Sequence, residues 1–122
     1  MRWVKVLNKV NGYTFKRYVI NERGELKDTV TGKLRRPGKS DTGHYYTLFP
    51  DQHTHGVKDG IGVVNISVAV IMAESFKLKK PKRVKCRTMH LNGDKYDDRL
   101  DNIAYRPVGD IIEKAWEKRK DN

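Results

Sequence analysis

The sequence is short of the features that would place it in several classes. It has one cysteine, Cys86, in 122 residues, so no internal disulfide can form and a disulfide-stapled scaffold is excluded. It has no long hydrophobic run. The longest apolar stretch, Val68–Ala73, falls far below the roughly 20 residues that a membrane-spanning helix needs. The opening residues, Met1 to Leu7, have no extended apolar segment, so no signal peptide is expected and an intracellular protein is. Acidic residues are few beside basic ones: 15 Asp and Glu against 26 Lys and Arg, a formal net charge of +11.

A chain of this length allows one domain with a modest core, or two small lobes that share one. The hydrophobic fraction is 37% and the charged fraction 34%, a wet composition. Recurring aromatic and β-branched residues still provide a core, which sets the chain apart from disordered sequences. The positive charge is clustered. Lys77, Lys79, Lys80, Lys82, Arg83, Lys85 and Arg87 fall within eleven positions, with further clusters at Lys33, Arg35, Arg36 and Lys39 and at Lys114, Lys118, Arg119 and Lys120. Such clusters point to a polyanion partner, bound through phosphates with salt-dependent affinity. A membrane is not expected, because no basic helix has the large apolar face that surface binding needs.

In chain order, Trp3–Leu7, Tyr13–Ile20, Glu25–Val30 and Tyr45–Phe49 read as strands, punctuated by Asn11-Gly12, Asn21-Glu22-Arg23-Gly24 and Thr31-Gly32 turns. Lys33–Gly38 reads as a loop or edge. Together they predict an antiparallel meander over residues 3 to 49. The polar stretch 50–62 reads as a loop. Its His53-Thr54-His55 lacks a nearby third His or Cys, so solvation is expected there and not metal binding. Asn65 or Ser67 can cap a helix running to about Phe76, with Val68, Ile71, Met72 and Phe76 on its buried face. A basic, alternating run then ends at Met89-His90. Asn92-Gly93-Asp94 turns, Asp97 to Asn102 reads as a capped helical turn, and Ile103-Ala104-Tyr105 as a strand. From Asp110 an amphipathic helix follows, with Glu113 completing a capping-box variant and Ile112, Ala115 and Trp116 on one face. The fold class expected is α+β: a meander module over 1–62, and a buried helix with a strand-loop-strand-helix unit over 63–122, on one shared core.

The second unit resembles the HNH (ββα-metal) endonuclease family in its phage homing type. Family members read His-x-Asp-Gly and then Asn-Asn-Arg-Leu-Glu-Asn-Leu-Glu-Trp. This chain reads His90-Leu91-Asn92-Gly93 and then Asp97-Asp98-Arg99-Leu100-Asp101-Asn102-Ile103-Ala104-Tyr105. The first unit resembles the NUMOD4-like module that precedes the motif in many members, through Tyr18 to Leu26, Gly32-Lys33-Leu34 and Gly43 to Leu48. Helix positions also correspond, but Ala69 and Val70 stand where the family has His and Arg.

The resemblance implies DNA as partner, cleavage of a phosphodiester, and a divalent metal, magnesium or manganese, as cofactor. It implies His90 as general base and Asn102 as the residue that braces the loop and orients it. The clustered cations, Arg35, Arg36, Lys118 and Arg119 included, would meet the DNA backbone. The family's metal ligands fall at Met89 and Ile111. A thioether is a soft, neutral ligand, poorly suited to these ions, and isoleucine cannot ligate. Asp110 is the candidate substitute, although an N-cap explains it more simply; Asp94 and Asp97 are others. Reduced or lost cleavage is therefore expected. The alternative is a catalytically inactive HNH-derived module that binds nucleic acid or a host protein. For a phage-encoded chain, the compartment would be the bacterial cytoplasm.

Overall fold

The computed structural model describes residues 1–10, 12–51 and 62–108. The expected C-terminal helix, with Asp110, Ile111, Glu113, Lys114, Lys118, Arg119 and Lys120, lies outside the described residues, as do His53 and His55. The fold is α+β, and the described residues form three antiparallel sheets and one α-helix.

The first sheet holds β1 (Trp3–Lys5), β2 (Tyr18–Asn21) and β3 (Leu26–Asp28), in that order. Aromatic and β-branched residues make β2 a strand, and Tyr18 and Ile20 are fully buried. Asn21 ends it: its side-chain oxygen accepts the backbone N–H groups of Arg23 and Glu25, an Asx turn that Gly24 completes at φ +85°. The Asp28 carboxylate is buried and accepts from Arg17 Nη2 at 2.5 Å and from the Val30 N–H at 2.9 Å. The Arg17 hydrogen bond holds its pKa below the usual carboxylate value.

The second sheet holds β4 (Gly38–Ser40), β5 (Gly43–Leu48) and β6 (Val64–Ser67). The single meander expected over residues 3–49 is thus two sheets. Tyr13 pairs with Val10 in a bridge outside the strands, and the stretch between it and Tyr18 turns, so the second strand is half its expected length. Basic, glycine-bearing β4 joins by pairing with β5 at Gly38↔Tyr45. Asn65 lies in β6, opposite Thr47, and not at a cap.

The helix α1 (Val68–Ser75) follows β6 directly. Ser67 occupies the N-cap position without making a side-chain cap hydrogen bond. Burial holds this helix: Val68, Ala69, Ile71, Met72, Ala73 and Ser75 are all buried, and a fully buried aliphatic side chain contributes about 1.5–3 kcal/mol. A third sheet pairs β7 (Cys86–His90) with β8 (Ile103–Pro107), from Cys86↔Pro107 to His90↔Ile103. Ile103 joins Phe15, Tyr18, Leu26, Leu48, Ile71 and Met72 in one core. Residues from both sequence halves therefore share that core. No helix among the described residues is long and apolar enough to cross a membrane.

Candidate active site

His90 ends β7, at the mouth of the loop that returns to β8. Four polar side chains shape this loop. Asn92 Oδ1 accepts the Asp94 N–H, and Asp94 Oδ1 accepts the Tyr96 N–H, each at 2.9 Å. Asp97 receives two guanidinium hydrogen bonds from Arg99, both 2.8 Å. The Arg99 pairing pulls the Asp97 pKa down to about 2. Asn102, buried in a 3-10 turn (Leu100–Asn102), closes the loop. Its Oδ1 accepts the Asn92 N–H at 3.0 Å, and its Nδ2 donates to Asn92 Oδ1 at 3.0 Å and to the Asp97 carbonyl at 2.8 Å. Leu91 N–H donates to the Asn102 carbonyl at 2.8 Å. Asn102 thus bonds the loop that begins immediately after His90.

Asp98 sits beneath the loop, 8% exposed. Its Oδ1 lies 2.8 Å from His90 Nε2 and its Oδ2 lies 3.3 Å from His44 Nδ1. An ionised carboxylate only accepts, so both imidazoles donate to it. Neutral His90 then carries its proton on Nε2 and leaves Nδ1 bare. Among the described residues no hydrogen bond engages that Nδ1.

The N-terminal sheets hold this arrangement in place. His44 comes from β5, and its ring lies against Tyr96, centroids 5.1 Å apart. Tyr96 Oη donates to the Ser40 carbonyl at 2.7 Å, and Lys95 Nζ donates to the Asp41 carbonyl. Gly43, at φ +135°, lets the loop backbone approach: a Cβ there would stand 2.9 Å from the Lys95 carbonyl oxygen. On the other side, Leu100 N–H donates to the Glu22 carbonyl at 2.8 Å, and Gly24 packs against Asp98.

The donor chemistry does not assemble a divalent-cation site among the described residues. Met89 offers a half-buried thioether opposite Ala104. Asp97 is committed to Arg99 and Asn92, Asp94 bonds the Tyr96 N–H, and both oxygens of Asp98 face imidazoles. No group of three His, Cys, Asp or Glu side chains there is arranged to hold a metal ion.

Of the basic residues, Lys77, Lys79, Lys80, Lys82, Arg83, Lys85 and Arg87 are all exposed along the connection from α1 into β7. Lys77 and Arg83 take left-handed backbone, φ 53° and 65°, a conformation uncommon outside glycine. Lys80 Nζ sits 5.3 Å from the Tyr105 ring centroid. Arg36 is exposed. Arg35 is half-buried and turned inward, donating to the Thr47 carbonyl at 2.8 Å. Asp98 and His44 were not among the site residues expected from sequence. They lie 54 positions apart, and no local pattern joins them.

Comparison with protein-family models gives no match, nor does comparison with curated proteins. Among solved structures, the chain is similar to the one described as DNA binding and cleavage by the HNH homing endonuclease I-HmuI. The TM-score is 0.66 at 19% sequence identity, over 97% of this chain and 59% of that one. The chain carries an HNH-endonuclease-like fold. It spans about three fifths of the length of I-HmuI.

Proposed function

We propose that this HNH-like chain binds DNA through its basic surface, keeps a general base at His90, and has a depleted metal donor set that leaves cleavage slow or absent. The observation that carries the reading is the likeness to an HNH homing endonuclease over 97% of the chain. The bracing of the His90 loop by Asn102 and the net charge of +11 support it. On the same reading, the N-terminal half acts as a NUMOD4-like module in a phage-type protein. The exposed cations between Lys77 and Arg87, together with Arg36, Lys118 and Arg119, contact phosphates. Arg35 acts chiefly through its hydrogen bond to the Thr47 carbonyl of β5.

The proposed chemistry is hydrolysis of a phosphodiester. Nδ1 of His90 takes a proton from water as the water oxygen bonds to phosphorus. The bridging P–O bond breaks, and the departing oxygen takes a proton from solvent. Magnesium or manganese, with Asp110 as a candidate ligand, belongs to this proposal, and metal dependence tests it. The second reading, a module that binds without cutting, is favoured by Met89 and by the engaged loop carboxylates.

The test is supercoiled plasmid with magnesium, then manganese, for wild type and His90→Ala, beside a gel shift at graded salt. Nicking by wild type alone supports His90 as the base. Nicking by both refutes that role. A salt-dependent shift without nicking supports the module that only binds, and no shift at low salt refutes the DNA reading.

A further inference from the structure

The described structure joins two histidines from different sheets to one buried carboxylate. His44 is 27% exposed at its side chain, His90 15%, and Asp98 between them 7%. A carboxylate this buried is costly unless its oxygens are satisfied, and here each faces one imidazole. We propose that Asp98 and His44 are positioning residues for His90: Asp98 fixes the His90 tautomer, and His44 fixes the plane of Asp98. This deepens the reading of His90 as a base and rests on it.

The argument follows from the two acceptor oxygens. Unaided, an imidazole in water distributes its proton between two nitrogens, and its ring turns about χ2. The 2.8 Å contact with Asp98 Oδ1 confines the proton to Nε2 and so leaves Nδ1 as the acceptor. The same carboxylate stabilises the imidazolium formed when Nδ1 takes a proton, because its charge is fixed nearby. A carboxylate held by one partner can still rotate about its Cβ–Cγ bond. The His44 Nδ1–H donor on Oδ2 opposes that rotation. His44 is itself held by its strand and by Tyr96, whose hydroxyl is tied to Ser40. The orientation of His90 is thereby referred to the β4–β5 hairpin, well outside its own loop.

The experiment measures the His90 tautomer by long-range proton–nitrogen NMR on the full chain, in wild type and in Asp98→Asn, His44→Phe and His44→Asn. Asparagine can place an amide N–H near the position of His44 Nδ1, so it serves as the conservative rescue. Wild type is expected to show Nε2 protonated and Nδ1 bare. Asp98→Asn and His44→Phe are expected to show mixed tautomers with otherwise dispersed amide spectra, and His44→Asn to restore the wild-type pattern. Nicking, where wild type shows it, should fall about tenfold or more in Asp98→Asn, consistent with loss of an orienting carboxylate, and recover in His44→Asn relative to His44→Phe. A wild-type His90 with its proton on Nδ1 would overturn the proposal. So would a tautomer unchanged in both Asp98→Asn and His44→Phe. A protein that never nicks but shows the expected tautomer pattern fails the catalytic reading and keeps the positioning inference. Nicking with the wrong tautomer does the reverse.

Discussion

Replacing Asn102 by alanine should open the His90 loop without disturbing the core. Asn102 is 6% exposed and its side chain makes three hydrogen bonds, one to the Asn92 N–H, one to Asn92 Oδ1 and one to the Asp97 carbonyl. Each such bond contributes about 1 kcal/mol net, and groups left buried without partners add to the loss. The Asn92 side chain is exposed and recovers water, so the sum is held to about 3 kcal/mol. For a domain of this size that corresponds to a fall of roughly 10 °C in Tm. Urea denaturation of wild type, Asn102→Ala, Asn92→Ala and the double variant gives the coupling between the two asparagines, expected at about 1–2 kcal/mol for residues in one network. Amide exchange should localise the effect, with the Asn92 and Gly93 N–H groups losing protection while Ile71 and Met72 in α1 keep theirs. Asn102→Asp should be at least as damaging as alanine, because it turns a donor into an anion facing two oxygens. A Tm within 2 °C of wild type (well under ~1 kcal/mol), with no coupling, would show that the loop is held by its backbone bonds and that Asn102 is not its brace.

Three further outcomes follow from other contacts. Asp28→Asn removes the charge that Arg17 pairs with, and should cost about 2 kcal/mol at neutral pH. Because Arg17 depresses the folded-state pKa of Asp28, that stability is fully present above the unfolded value of about 3.9 and is lost as pH falls through the folded one. The gap between wild type and variant in urea melts should therefore narrow in acid; a gap that widens below pH 4 would contradict the pairing. Gly43→Ala should lower stability by about 2 kcal/mol or more, because its Cβ would stand 2.9 Å from the Lys95 carbonyl oxygen at a φ of +135°, and thermal melts read it directly. Replacing Lys79, Lys80, Lys82 and Arg83 together by alanine should weaken DNA binding uniformly across sequences and flatten the slope of log affinity against log salt by about 3–4. An unchanged slope in filter binding would remove that segment from the interface.

His90 and Asn102, the two residues that the sequence singles out as candidates for the site, belong to one local event. They stand twelve positions apart across a turn, and the backbone that joins them is short enough for Asn92-Gly93-Asp94 and the 3-10 turn to set their approach. The helix was legible for a similar reason, since Val68, Ile71 and Met72 repeat at its own period. The division of the meander was not, because Gly38–Ser40 has no strand composition of its own and pairs only because β5 offers it an edge. Asp97 and Asp98 make the limit sharpest. They are the same residue type, adjacent in one loop, and a local pattern treats them alike. Asp97 turns to Arg99, two positions on, and is held as a partly exposed ion. Asp98 turns inward to His90 and to His44, the latter a residue of another sheet. What decides between them is which carboxylate the β2–β3 turn and the β4–β5 hairpin cover. That is a property of the packed chain, so the residue best placed to orient the proposed base is the one that spacing along the loop could not single out.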